Sequence, residues 1–193
     1  MSIINHISDI DELLSGTAYC MDNIYQGFKQ FDAEPLKKVT CFLDSIHKRV
    51  PELTENIVSA SQQDPSVSRY VLVPALLGQL QEDVRDMTAS VNKLVEDKIL
   101  FSDKAVTEMN ELFKRLIELI RSLQKLSNNE DDLTRKQVLD ASHKLYELAD
   151  DYGISHEERL ISGICNAYAS TVYIKMLGSV KNIALHIKDI AGR

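Results

Sequence analysis

The chain has 193 residues, 44 % hydrophobic and 26 % charged, the ordinary balance of a globular protein with room for one or two cores. Seven glycines, four prolines and no tryptophan supply few turn formers, which favours long helices over many short strands. The net charge of −7 falls on residues 1–97, with 15 acids against 8 bases, and the remainder is balanced; without a basic patch, binding of nucleic acid through its phosphates is not expected.

In chain order, the first helix is expected over 7–30, with Ile10, Leu14, Met21, Ile24 and Phe28 inward on the three- and four-residue spacing of an amphipathic helix. "FDAEPLKK" breaks it: Asp32 can cap and Pro35 suits the first turn of the next helix. The second helix carries Leu36, Val39, Leu43, Ile46, Val50, Leu53 and Ile57, and Pro51 should kink or split it. After the polar connection "SASQQDPSVS" a third helix runs to about residue 97 with the stripe Leu77, Leu80, Val84, Met87, Val91, Leu94, and Pro74 bends or delays its start. A fourth helix spans 102–126, with Val106, Leu112, Leu116, Leu119, Ile120 and Leu123 inward. "SNNEDDLT" is a loop rich in capping residues. A fifth helix covers 133–152, with Val138, Leu145 and Leu148 inward and a break at Gly153, and a sixth covers 166–191.

Three helices followed by three suggest an internal duplication, with repeats over 1–98 and 99–193. "DSIHK" at 44–48 echoes "DASHK" at 140–144, an offset of 96 residues. The same offset pairs Val84 with Val180, Met87 with Ile183, Val91 with Ile187 and Leu94 with Ile190. The expected fold is therefore all-α and elongated: six long helices as two similar antiparallel three-helix bundles.

Phosphate-cradling and hydrolase motifs are absent, as are a zinc-protease motif and the paired Glu-x-x-His of di-iron bundles. Cys20, Cys41 and Cys165 are isolated and lack zinc-ligand spacing; each is expected in an apolar helical stretch of a reduced, cytosolic-type protein. The start "MSIINHISDIDELL" has no basic segment or long apolar run, so no signal peptide is expected. The longest uncharged stretch, 161–174, is too short and polar to span a bilayer. His47 and His143 occupy matching repeat positions, His6 and His156 sit near helix starts, and His186 beside inward Ile187 should be partly buried. Glu82 and Asp86 share one helix side, with Asp83 beside them and Arg85 nearby. They are weak metal candidates on an acidic face that points away from the core.

"HEERLISGICNAYASTVYIKMLGSVKNIALHIKDIA", residues 156–191, resembles the end of the PhoU-like region that follows the membrane domain of bacterial sodium/phosphate cotransporters. The shared skeleton is His156, Arg159, Leu160, Gly163, Cys165, then Val180, Ile183, Ala184, His186 and Ile190. The resemblance implies two three-helix bundles, in agreement with the periodicity. It also implies clustered metal ligands at two acids of the last helix, where this chain has Lys181 and Leu185. Lysine repels a cation and leucine offers no lone pair, so no metal or other cofactor is expected.

The implied function is that of a non-enzymatic PhoU-like regulatory or accessory protein of phosphate uptake. Its partner would be a phosphate transporter or sensor kinase. It would be cytoplasmic, or peripheral at the inner face of the membrane, with membrane contact only through a partner. The alternatives are the soluble cytoplasmic domain of a sodium/phosphate cotransporter-like protein, a metal-binding helical bundle, and a scaffold that forms a homodimer through apolar seams.

Overall fold

A computed structural model describes residues 3–129 and 131–193, without the side chains of residues 3–7 and of His47. The readings of His6 and His47 therefore lie outside the described residues. The protein is all-α. Among the described residues seven α-helices follow in order: α1 (Ile3–Gln30), α2 (Glu34–His47), α3 (Val50–Gln63), α4 (Val73–Glu96), α5 (Asp103–Asn128), α6 (Asp132–Ile161) and α7 (Ala167–Ala191), with a 3₁₀ helix (Pro65–Tyr70) between α3 and α4. At 1.5 Å per residue, the five long helices are rods of about 36–45 Å.

Local chemistry sets the boundaries. Phe31 adopts a left-handed conformation (φ 54°), and the Asp32 amide donates back to the Gly27 carbonyl at 3.0 Å, closing α1 in the way a C-terminal αL residue does. Asp32 then accepts from the Glu34 amide at 3.0 Å. Pro51 splits the second predicted helix: α2 ends at His47, α3 starts at Val50, and the proline lies in the first turn, where a missing N–H costs nothing. Pro74 likewise opens α4. Ser102 caps α5 by accepting from Ala105, Asp131 caps α6 through Leu133 and Thr134, and Asn166 caps α7 through Tyr168 and Ala169.

Two expectations are corrected. The fifth helix does not break at Gly153 but continues to Ile161. Beyond Gly153 it still has a neighbour to cover, because a Cβ at that glycine would sit 3.7 Å from Leu177 of α7. The break falls at Gly163, whose φ of +70° glycine adopts without strain. Gly163→Ala should cost about 1 kcal/mol, read as a lower midpoint in urea unfolding with an unchanged slope. The second correction is Val106. It is 37 % exposed because the buried stripe of α5 runs through Ala105, Met109, Leu112 and Leu116, one residue out of phase with it.

The remaining stripes are buried as their spacing requires, apart from the half-buried Val50 and Leu148. They join in one continuous hydrophobic core. α1, α4, α7 and α5 form a ring of four in which each helix touches the next; α2 and α3 cover α1 and α4, and α6 covers α5 and α7. Contacts fix several directions. Asp22 of α1 pairs with Arg121 of α5, and Asp11 accepts from Gln124 and Asn128 further along, so α1 and α5 run antiparallel. Asp83 and Asp97 of α4 meet Asn182 and Tyr168 of α7 in the same opposed order. The four residue pairs related by the 96-residue offset are all buried.

Candidate functional site

The densest buried polar cluster joins α5, α6 and α7. Glu108 lies on the inward side of α5, between Ala105 and Met109, and is 1 % exposed. An isolated carboxylate there would be too costly to desolvate. It is held by Arg159 of α6 through two hydrogen bonds, 3.0 and 2.8 Å, and by the Tyr173 hydroxyl of α7 at 2.5 Å. The Lys104 ammonium stands 3.8 Å away, one helical turn back. One acid thus ties three helices together, with charge-assisted bonds in the fork geometry that arginine offers.

His156, one turn before Arg159, is buried against Tyr173 with ring centroids 4.5 Å apart. Its Nδ1 faces the Arg159 guanidinium at 3.5 Å and the Cys165 thiol at 3.9 Å. Burial and then the Arg159 charge push its pKa below the usual histidine value, so the ring is neutral at pH 7. Arginine has no acceptor, so toward the guanidinium Nδ1 can only accept, and the other ring nitrogen is Nε2. That Nε2 is buried and has no partner. Burial and the bond to Glu108 also raise the Tyr173 pKa, which keeps the phenol a donor.

A cavity of about 260 Å³ adjoins the cluster. His156, Cys165 and Tyr173 line it, together with Ser102 and Asn166, the N-caps of α5 and α7. Leu100 and Ile164 stand at its rim and are 78 % and 69 % exposed.

The predicted positions are distributed as follows. Glu82 and Asp86 are exposed, and Arg85 pairs with Glu82 at 3.6 Å and with Asp44 of α2 at 3.1 Å. Asp83 is turned the other way and buried against α7, where Oδ1 accepts from Asn182 at 3.0 Å and Oδ2 stands 3.0 Å from Nε2 of half-buried His186. The three acids therefore do not converge. Among the described residues, no group of three or more His, Cys, Asp or Glu side chains comes together as a metal would require. Lys181 pairs with Asp150 of α6 at 2.9 Å and lies over the Tyr146 ring, while Leu185 is exposed. His156 is not near a helix start but deep within α6, and Leu160 beside it is exposed. Of the cysteines only Cys20 is buried in a helix: Cys41 is exposed on α2, and Cys165 sits in the turn before α7.

Glu108 is the residue the sequence reading missed. The available signal was an acid standing at an apolar-stripe position, three residues past Ala105 and four before Leu112. No helix of the described chain is long and apolar enough to cross a membrane. No family model matches the chain, and no curated protein matches it.

Proposed function

We propose that this chain is a non-enzymatic PhoU-like regulatory or accessory protein of phosphate uptake that works by docking onto a transporter or sensor kinase. The observation that carries the reading is a set of exposed apolar side chains at one end of the helical body. Phe31, Leu100, Ile161 and Ile164 come from the α1–α2 turn, the α4–α5 loop and the α6–α7 corner. Phe31 and Leu100 line one depression, Leu100 and Ile164 the next. Ile161 is 86 % exposed, the most exposed of the large apolar side chains among the described residues. Exposed apolar side chains gathered around such depressions mark a contact surface more often than a catalytic one. The resemblance over 156–191 supplies the process. His156 and Arg159 of that skeleton are held in the Glu108 cluster beside the apolar end.

Affinity capture from cells grown with and without phosphate tests the proposal. The expected result is recovery of a phosphate transporter or sensor kinase in one of the two states, lost with Ile161→Asp/Ile164→Asp, whose exposed sites leave the fold intact. Capture of neither partner in either state overturns it.

A further inference from the structure

Where α1 ends and α4 passes into α5, the structure leaves an open cavity of about 410 Å³. Its lining is almost wholly apolar. Phe28, Leu94 and Ile99 are buried, whereas Phe31, Leu100 and Val106 are exposed. Phe101 adds a third phenyl ring, 6.3 Å from that of Phe28. Packing explains the buried three, because they belong to the continuous core. It does not explain Phe31. That residue is held at φ 54°, in the left-handed region that glycine enters at least cost, and its ring is nevertheless exposed. The turn thus carries backbone strain and an exposed aromatic side chain together, and a glycine there would remove both. Strain of this kind gathers at ligand sites.

The polar part of the lining has one sign. Among the described residues Lys29 and Asn110 are its only polar side chains. Lys29 lies in the last turn of α1, where lysine suits the helix dipole. Its ammonium stands 5.4 Å over the Tyr25 ring, and no carboxylate pairs with it among the described residues. Asp32 and Asp103 neighbour the lining in sequence without entering it.

From an apolar wall with one cation and no acid we propose that this cavity binds a small amphiphile, an aliphatic chain seated against the phenyl rings with its carboxylate head toward Lys29. Sites for small ligands run from about 300 Å³ upward and are mostly apolar with a few polar groups. At about 30 Å³ per heavy atom, the share of one water in the liquid, a space of 410 Å³ holds about a dozen, the size of a medium-chain fatty acid. The cavity shares Phe31 and Leu100 with the docking surface proposed above. Uptake is read on the chain alone, so either reading can fail without the other.

Octanoate titrated into the nitrogen-15-labelled protein and followed by NMR tests this, with octanol and octyltrimethylammonium as neutral and cationic counterparts of the same chain length. Octanoate should saturate one site with a Kd of about 1 mM or tighter, and the largest amide shifts should fall on residues 28–31 and 99–106. It should bind about two- to fivefold more tightly than octanol, the scale of an exposed ion pair, and octyltrimethylammonium should bind most weakly. Lys29→Met keeps the apolar stem and should bring octanoate to the affinity of octanol. Phe31→Gly removes a ring from the wall and should weaken octanoate and octanol alike by about five- to tenfold. Both positions are exposed, so the helical circular dichroism of the two variants should be unchanged. No saturable binding of octanoate, shifts centred elsewhere, or equal affinities for the three amphiphiles overturns the proposal. So does a preference for octanoate that persists in Lys29→Met, or an affinity that Phe31→Gly leaves unchanged.

Discussion

Arg159→Ala is expected to destabilise the protein by about 3–5 kcal/mol, the range for a buried pair broken from one side. Glu108 would remain almost fully buried with only the Tyr173 hydroxyl and the more distant Lys104 ammonium facing it. For a chain of this size that is a fall of about 6–20 °C in Tm. Acid should narrow the deficit. In the unaltered protein His156 has its pKa held below the unfolded value, by burial first and the Arg159 charge second. The unfolded state therefore binds the proton more readily, and stability is lost as pH falls through the unfolded histidine value of about 6.5. Without Arg159 the second cause disappears and Glu108 favours the imidazolium, so this acid-side loss shrinks. Glu108→Leu/Arg159→Leu/Tyr173→Phe removes the buried acid together with both of its hydrogen-bond donors and should recover most of the loss, because an apolar replacement of a whole buried ion pair is often neutral. Urea unfolding of the set at two pH values checks this. A deficit of Arg159→Ala below about 1 kcal/mol, the scale of a surface pair, would show that the cluster is solvated.

What the sequence made legible is what short-range physics decides. The stripe of α4 from Leu77 to Leu94 is buried throughout, and α7 starts and stops where Asn166 and Ala191 indicate. Pro51 splits a helix because it cannot donate its amide. The failures share another cause: a neighbour distant in the chain. Gly153 reads as a break, yet α7 covers it and the helix persists. His156 reads as flanking a helix start, yet it lies within α6, where Tyr173 and Arg159 enclose it. Glu82, Asp83 and Asp86 read as one ridge, but the ring of α4 and α7 separates them, burying Asp83 and leaving the other two outside. The Glu108 cluster was not visible because its members lie 51 and 65 residues apart. No periodicity connects such positions; only the packing of α5, α6 and α7 does.

Phe113→Ala carries the other large effect, and it probes how far the two expected helix triplets, over 1–98 and 99–193, depend on each other. Phe113 of α5 is fully buried and stacks on Tyr25 and Phe28 of α1, with ring centroids 5.3 and 5.4 Å apart. Phe28 continues the chain of rings to Phe101, which meets Tyr173 edge-on at 5.6 Å. Aromatic contacts thus run from α5 to α1, and from α1 through Phe101 of the α4–α5 loop to α7. Truncation removes the buried ring and leaves a cavity, at a cost of about 3–5 kcal/mol. Its placement matters more than its size. If each triplet were a separate folding unit, the change would loosen the second and leave a first transition near its original midpoint. With one core threaded through α1, α4, α5 and α7, unfolding should remain a single transition shifted as a whole. Far-ultraviolet circular dichroism and the fluorescence of the tyrosines should then give the same midpoint in urea for Phe113→Ala. Two separated midpoints would mean that the seam between the triplets is an interface and not a core.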